Sequence, residues 1–253
     1  MTLLTDNSDV LQRVRHYSAS HTQNTMTQPA TFLHNIALFA NLPERTLQQL
    51  ATDLTLRYFA QGDTIFHEGD PGEVLYLVKS GQVRIFVHGN GQETSVILFG
   101  RPGDIFGELA IVDGLPRSAN ATAMVNTWVY TLEREQFRTH MRHTPQLALN
   151  FMKLLTVRVR NSTQQVNSLA SQSISGRLAR LLLRLAQDYG EAEQSGVRIN
   201  ANLNDSDLAS LIGASRESTN KTLSVFRRQD LIRKNDGHII ITDPDSLREV
   251  VNQ

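Results

Sequence analysis

The chain of 253 residues contains no cysteine. That absence excludes disulfides, thiolate zinc sites and cysteine-ligated iron–sulfur clusters, and it suits a reducing, cytoplasmic setting. Long apolar runs are missing too. Nothing approaches the roughly eighteen consecutive apolar residues of a membrane span, so no membrane partner is expected. The N-terminus has no basic segment followed by an apolar stretch, so no signal peptide is expected either. Excess charge of one sign is also lacking, since 25 basic residues balance 25 acidic ones. Catalytic signatures are absent in the same way. The eight histidines form no His-x-His and no His-Glu-x-x-His, and there is no Gly-x-x-x-x-Gly-Lys-Ser/Thr loop. Nothing pairs a nucleophile with a base. The chain is expected not to be an enzyme and to hold no metal.

What is present divides the chain in two textures, consistent with its length. Residues 1–30 are rich in Ser, Thr, Gln and Asn and predict a flexible extension, with a short helix over Val10–Val14 as the alternative. Phe32, Leu33, Ile36 and Phe39 are helically spaced, and Pro43 suits the first turn of a second helix through Leu47 and Leu50. From Leu54 to Leu132 short apolar, β-branched runs alternate with glycine turns such as Gly62-Asp63, Gly69-Asp70 and Gly89-Asn90-Gly91. Many short strands at even spacing predict a barrel or sandwich. After Glu133 the pattern is helical.

Phe106-Gly107-Glu108-Leu109-Ala110, followed by Arg117-Ser118-Ala119, sets one carboxylate, one guanidinium and one hydroxyl around a glycine turn. A carboxylate accepts from a ribose 2′-hydroxyl, and a planar guanidinium grips a phosphate through two hydrogen bonds. Gly107 lets backbone N–H groups approach an anion with no Cβ in the way. The bland alternative is a surface turn carrying an ordinary Glu–Arg ion pair.

Pro145 predicts the start of a long helix. Ala148, Met152, Leu155, Val159, Ser162, Val166 and Leu169 follow a heptad seam over about three repeats, the pattern of a two-stranded coiled coil. Ser162 and Thr163 interrupt that seam with hydroxyls, which lose packing unless something polar meets them. Residues 170–173 are small and polar and predict a hinge. A further amphipathic helix carries Leu178, Leu181, Leu182 and Leu185 and ends before Gly190, and Glu191 to Gly196 reads as a polar loop.

Asn204-Asp205-Ser206-Asp207 caps a short helix, Gly213-Ala214-Ser215 is a tight turn, and a second helix runs from Arg216 to about Gln229. Together these predict a helix-turn-helix, with a hairpin behind it from Ile232-Arg233-Lys234 to Ile239-Ile240-Ile241. From Arg216 to Lys234 there are six basic residues and two acidic ones, six minus two leaving plus four. Arg216 with Asn220, and Glu217 with Lys221, share faces of the second helix. Arginine suits guanine O6 and N7, and glutamate accepts from cytosine N4.

The Gly107–Ser118 stretch resembles the phosphate-binding cassette of the cyclic AMP receptor protein (CRP/FNR) family of transcription regulators. Residues Gly213–Lys221 look like its recognition helix. The resemblance covers roughly residues 32 to 242. It implies an α+β architecture: residues 31–143 form a jelly-roll-like cyclic-nucleotide-binding β-barrel, 144–170 a dimerisation helix and 171–253 a winged helix-turn-helix. It further implies a ligand-gated homodimer that binds double-stranded DNA at palindromic TGTGA-like sites, with RNA polymerase a candidate further partner. Gly107, Glu108, Leu109, Arg117, Ser118, Ser162 and Thr163 would hold cyclic AMP. In that family a hydroxyl from each subunit of such a pair meets the base. Ser215, Arg216, Glu217, Asn220 and Lys221 would meet DNA. Lys221 stands where the enteric member has arginine, and it lacks the bidentate fork. Cyclic GMP, or DNA binding without an obligatory ligand, are the alternatives. A haem-sensing variant through His67 or His88 is a further alternative, but an intact Glu108–Arg117 cassette makes haem superfluous.

Overall fold

A computed structural model describes residues 29–89 and 92–251. The expected extension up to residue 28, its Val10–Val14 helix and the Asn90-Gly91 turn tip lie outside the described residues. Pro29 and Ala30, expected in the extension, open a helix, α1 (Pro29–His34). A 3-10 turn (Ala37–Phe39) and α2 (Glu44–Asp53) follow, the latter entered through Pro43.

Eight strands come next: β1 (Thr55–Phe59), β2 (Thr64–Phe66), β3 (Val74–Ser80), β4 (Val83–Gly89), β5 (Gln92–Phe99), β6 (Ile105–Phe106), β7 (Asn120–Ala123) and β8 (Thr127–Glu133). Between β6 and β7 lies α3 (Glu108–Asp113). The strands make two antiparallel sheets, ordered β1-β8-β3-β6 and β2-β7-β4-β5. β3 shows why the first sheet is apolar on both faces. Side chains alternate across a strand. Leu75 and Leu77 enter a core shared with the helices, whereas Tyr76 and Val78 enter the barrel interior. On β8, Tyr130 and Leu132 face the helices and Val129 the interior, in register with β3 (Leu77↔Tyr130, Val78↔Val129). Each such side chain contributes about 1.5–3 kcal/mol on burial.

The helices α4 (Arg134–His143) and α5 (Pro145–Ser171) cover this sheet. Phe137 meets Phe151 edge-on at 5.3 Å. Asn150 Nδ2 donates to the Leu38 and Ala40 carbonyls at 3.0 and 2.8 Å, fixing the 3-10 turn to α5. His140 and Gln136 of α4 both reach the Asp53 carboxylate of α2, the imidazole at 2.7 Å.

Beyond Gln172 the chain forms α6 (Ile174–Tyr189), β9 (Gly190–Glu193), β10 (Gly196–Ile199), α7 (Asp205–Ile212), α8 (Arg216–Arg228), β11 (Ile232–Asn235), β12 (His238–Ile241) and α9 (Pro244–Val251). Their shared core is built on Leu178, Leu182 and Leu185 of α6, Leu208 and Ile212 of α7, Leu223 and Phe226 of α8, and Leu247 of α9. The segment expected to be a polar loop, Glu191 to Gly196, is instead a hairpin. β9 pairs with β10, which joins β12 in a sheet ordered β11-β12-β10-β9.

Candidate functional site

Gly107 is the turn on which the first site is built. Its φ of +74° lies in the left-handed region, and it precedes α3 with no side-chain cap. A Cβ there would stand 2.6 Å from Arg117 Nη1. Arg138 of α4 holds the other end of α3, donating to the Ile111 and Val112 carbonyls at 3.1 and 2.9 Å. The Arg117 backbone is pinned by the Gly69-Asp70 turn, through Gly69 N to Arg117 O and Arg117 N to Asp70 O, both 2.9 Å.

Arg117 is 5 % exposed. Its Nη1 donates to the Gly107 carbonyl and its Nη2 to the Val74 carbonyl, each at 2.7 Å. The guanidinium carbon lies 4.4 Å from the Phe66 ring centre and 5.5 Å from that of Tyr76. Nε is buried and has no hydrogen-bond partner. Burial lowers the Arg117 pKa below its ordinary value, against the pull of Tyr76 and Glu108. Arginine nevertheless stays charged in proteins. A buried cation is costly unless an anion meets it. Here two neutral carbonyls and two rings meet it, and Nε is left without a partner.

Glu108, expected as a ribose acceptor, is buried at 4 % exposure. Its carboxylate pairs with Arg158 of α5, a residue the sequence reading passed over. Arg158 also donates to the Ile105 carbonyl and lies 5.2 Å from the Phe99 ring centre. It ties the glycine turn to the long helix. Leu109 and Ser118 are exposed beside it.

Along α5 five of the seven expected seam positions are exposed, Met152, Val159, Ser162, Val166 and Leu169, with Val159 and Val166 65 and 66 % exposed. Leu155 instead packs against the core beneath the helix, and Ala148 is half-buried. Leu149, Thr156, Thr163 and Ala170 are exposed beside them, so the uncovered stripe is wider than one seam and takes in both hydroxyls. Ser162 also lines a cavity of about 490 Å³ with Arg158, Phe99 and Ile105.

The helix-turn-helix is fixed by its caps. Asn204 Oδ1 accepts from Ser206 N and Asp207 N at 2.8 and 3.0 Å, while Asp207 Oδ2 accepts from Asn204 N at 2.9 Å. Gly213 ends α7 at φ +61°, and Ser215 Oγ accepts from Ser218 N at 3.2 Å to open α8. Thr219, Thr222, Leu223 and Phe226 are buried, as the spacing predicts. Arg216, Glu217 and Lys221 are exposed, and Ser224 and Arg228 continue the Glu217–Lys221 stripe. Asn220 differs from expectation. It is half-buried, its Oδ1 has no partner, and it lines a cavity of about 200 Å³ with Lys234 and Ile239 of the β11–β12 hairpin.

Comparison with known proteins matches residues 56–144 to the cyclic nucleotide-binding domain and 176–250 to the Crp-like helix-turn-helix domain. A CRP-like cAMP-activated global transcriptional regulator of Mycobacterium tuberculosis is 32% identical over 216 residues, covering 85% of this chain and 96% of that protein. The cyclic AMP receptor protein of Thermus thermophilus is 35% identical over 205 residues, covering 78% of this chain and 91% of that protein. A solved CRP/FNR-family transcriptional regulator of Thermus thermophilus superposes with a TM-score of 0.66 at 27% identity, over 79% of this chain and 99% of that one. A cyclic nucleotide-binding domain followed by a Crp-like helix-turn-helix domain, shared with relatives over most of their length, shows that the chain belongs to the CRP/FNR family of transcription regulators.

Proposed function

We propose that the barrel binds cyclic AMP and that the bound nucleotide sets the affinity of a homodimer for palindromic DNA. The observation that carries this reading is Arg117, a nine-tenths-buried cation with an orphan Nε and no carboxylate among its hydrogen-bond partners. A singly charged cyclic phosphate would supply the missing anion and accept from Nε and from Ser118. The ribose 2′-hydroxyl would donate to Glu108, which Arg158 orients, with the Gly107 and Leu109 backbone alongside. Ser162 of the same chain and Thr163 of the partner subunit would reach the base, because one faces the cavity beside Arg158 and the other the uncovered stripe. The relatives' own names favour cyclic AMP over cyclic GMP.

Two copies would pair along the exposed stripe of α5, as apolar heptad positions do. Each α8 would then enter a major groove, with half-sites about 34–36 Å apart. That spacing is a general property of such dimers, for which the enteric catabolite activator is the standard example. Glu217 and Lys221, flanked by Arg216, would read base edges, whereas Ser215 and Arg228 would hold phosphates. Asn220, turned toward the hairpin, would contribute little to direct reading. The setting is the cytoplasm, where DNA and RNA polymerase are the partners of such a regulator.

Fluorescence anisotropy of a labelled palindrome of TGTGA half-sites tests the reading. Addition of cyclic AMP should tighten binding by about 5- to 150-fold, the usual size of an allosteric coupling. Equal affinity with and without either cyclic nucleotide contradicts it.

A further inference from the structure

Helix α6 carries three arginines on one face. Arg177, Arg180 and Arg184 stand three and four residues apart, so their side chains share a stripe. All three line a groove of about 230 Å³ between α6 and α5. Asn161, Gln164 and Gln165 of α5 line it too, and the buried Leu181, Leu211 and Ile212 give it an apolar floor.

The charge in this groove is one-sided. The 27 residues of α5 include Lys153, Arg158 and Arg160 but neither Asp nor Glu. Asp188 is the one acidic residue of α6, and Arg101 takes it at 3.0 Å. Arg177 is half-buried and already posed: its Nε donates to the Ile212 carbonyl at 2.8 Å and its Nη1 to the Gln172 carbonyl at 2.9 Å. Both acceptors are neutral. Arg180 and Arg184 are exposed and meet no carboxylate among the described residues. Pairing two copies along α5 would not change this, because a second α5 brings no carboxylate either.

Three guanidinium groups on one wall repel one another, and an apolar floor lowers the local dielectric and sharpens that repulsion. The same setting suits a multiply charged anion. Planar forks match phosphate oxygens, and amides are at hand for the remaining hydrogen bonds. A volume of about 230 Å³ is that of roughly eight waters, enough for a phosphate group and a few atoms attached to it.

We propose that this groove is a second anion site, separate from the Arg117 chamber, in which Arg177, Arg180 and Arg184 hold one phosphate group, either orthophosphate or the monoester of a small metabolite. Asn161, Gln165 and Arg184 also line the cavity beside Ser162, so the two sites adjoin, yet Arg117 belongs to neither lining. A phosphate here bridges α5 and α6 and neutralises the arginine stripe. The site does not rest on the nucleotide reading above.

Orthophosphate and glycerol 3-phosphate, titrated separately by calorimetry into the ligand-free full chain, test it. The titrations are run at about pH 8, where a monoester is a dianion, with chloride holding the ionic strength constant. One saturable site per chain is expected. Arg180→Gln and Arg184→Gln should each weaken it about tenfold or more, and the double variant should abolish it. Both positions are exposed, so the circular dichroism spectrum should not change. Tighter binding of orthophosphate assigns the free ion, and tighter binding of the ester assigns a metabolite. The double variant should keep its cyclic AMP heat and Arg117→Leu its phosphate heat, so each site is read without the other. No saturable binding of either probe, or undiminished binding in the double variant, overturns the proposal. Loss of phosphate binding in Arg117→Leu also overturns it, because the anion would then lie in the barrel. If free phosphate does not bind and the double variant flattens the salt dependence of operator binding, the arginines belong to the DNA backbone instead.

Discussion

Replacing Gly107 by alanine separates the geometry of the arginine site from the general stability of the barrel. At φ +74° an alanine is strained by about 1–2 kcal/mol. The added Cβ would also stand 2.6 Å from Arg117 Nη1, 3.1 Å from Tyr76 Cδ2 and 3.3 Å from the Val74 carbonyl. The guanidinium cannot then keep its 2.7 Å bond to the Gly107 carbonyl, and it leaves the position from which Nε and its neighbours would meet a phosphate. Loss of one charge-assisted hydrogen bond to the ligand costs about 1.5–3 kcal/mol. That corresponds to a nucleotide affinity roughly 10- to 150-fold weaker. Gly114→Ala is the matched control. Its φ is +77°, and its Cβ would meet Arg134 Nη2 at 2.6 Å rather than Arg117. Both variants should therefore melt a few degrees lower, at about 4 °C per kcal/mol. Only Gly107→Ala should lose the nucleotide in a calorimetric titration. Equal weakening in the two variants, or none in Gly107→Ala, would refute the view that Gly107 exists to seat Arg117.

Two other outcomes follow from the same structure. Val159→Glu combined with Val166→Glu puts charges on the uncovered stripe of α5, and sedimentation should then report a monomer with intact helical content; a persistent dimer would place the pairing surface elsewhere. Glu217→Ala should relax the choice of half-site more than it weakens nonspecific binding, and a mobility-shift competition showing uniform weakening would count against base reading.

The parts legible in the sequence were those set by local chemistry. A glycine before a carboxylate, an Asn-x-x-Asp cap and a serine opening the reading helix each act within a few residues, and each stands where the spacing placed it. Arg158 was not legible, because its partner Glu108 is 50 positions away and the two meet only when α5 lies back on the barrel. The seam on α5 is uncovered at most of the positions that the period marks, but Leu155 packs against the core beneath the helix, a contact that periodicity does not contain. Likewise Glu191 to Gly196 is polar, and it becomes a hairpin only because β12 offers β10 an edge. Asn220 shares a helical face with Arg216 on a wheel, yet the β11–β12 hairpin half-covers it.

One buried guanidinium, that of Arg117, is the centre of the proposed nucleotide site. Cyclic AMP titrated into the ligand-free protein by calorimetry should saturate one site per chain, and Arg117→Leu should abolish the heat while leaving the circular dichroism spectrum unchanged. Absence of binding in the unaltered protein, or undiminished binding after the arginine is removed, would contradict it.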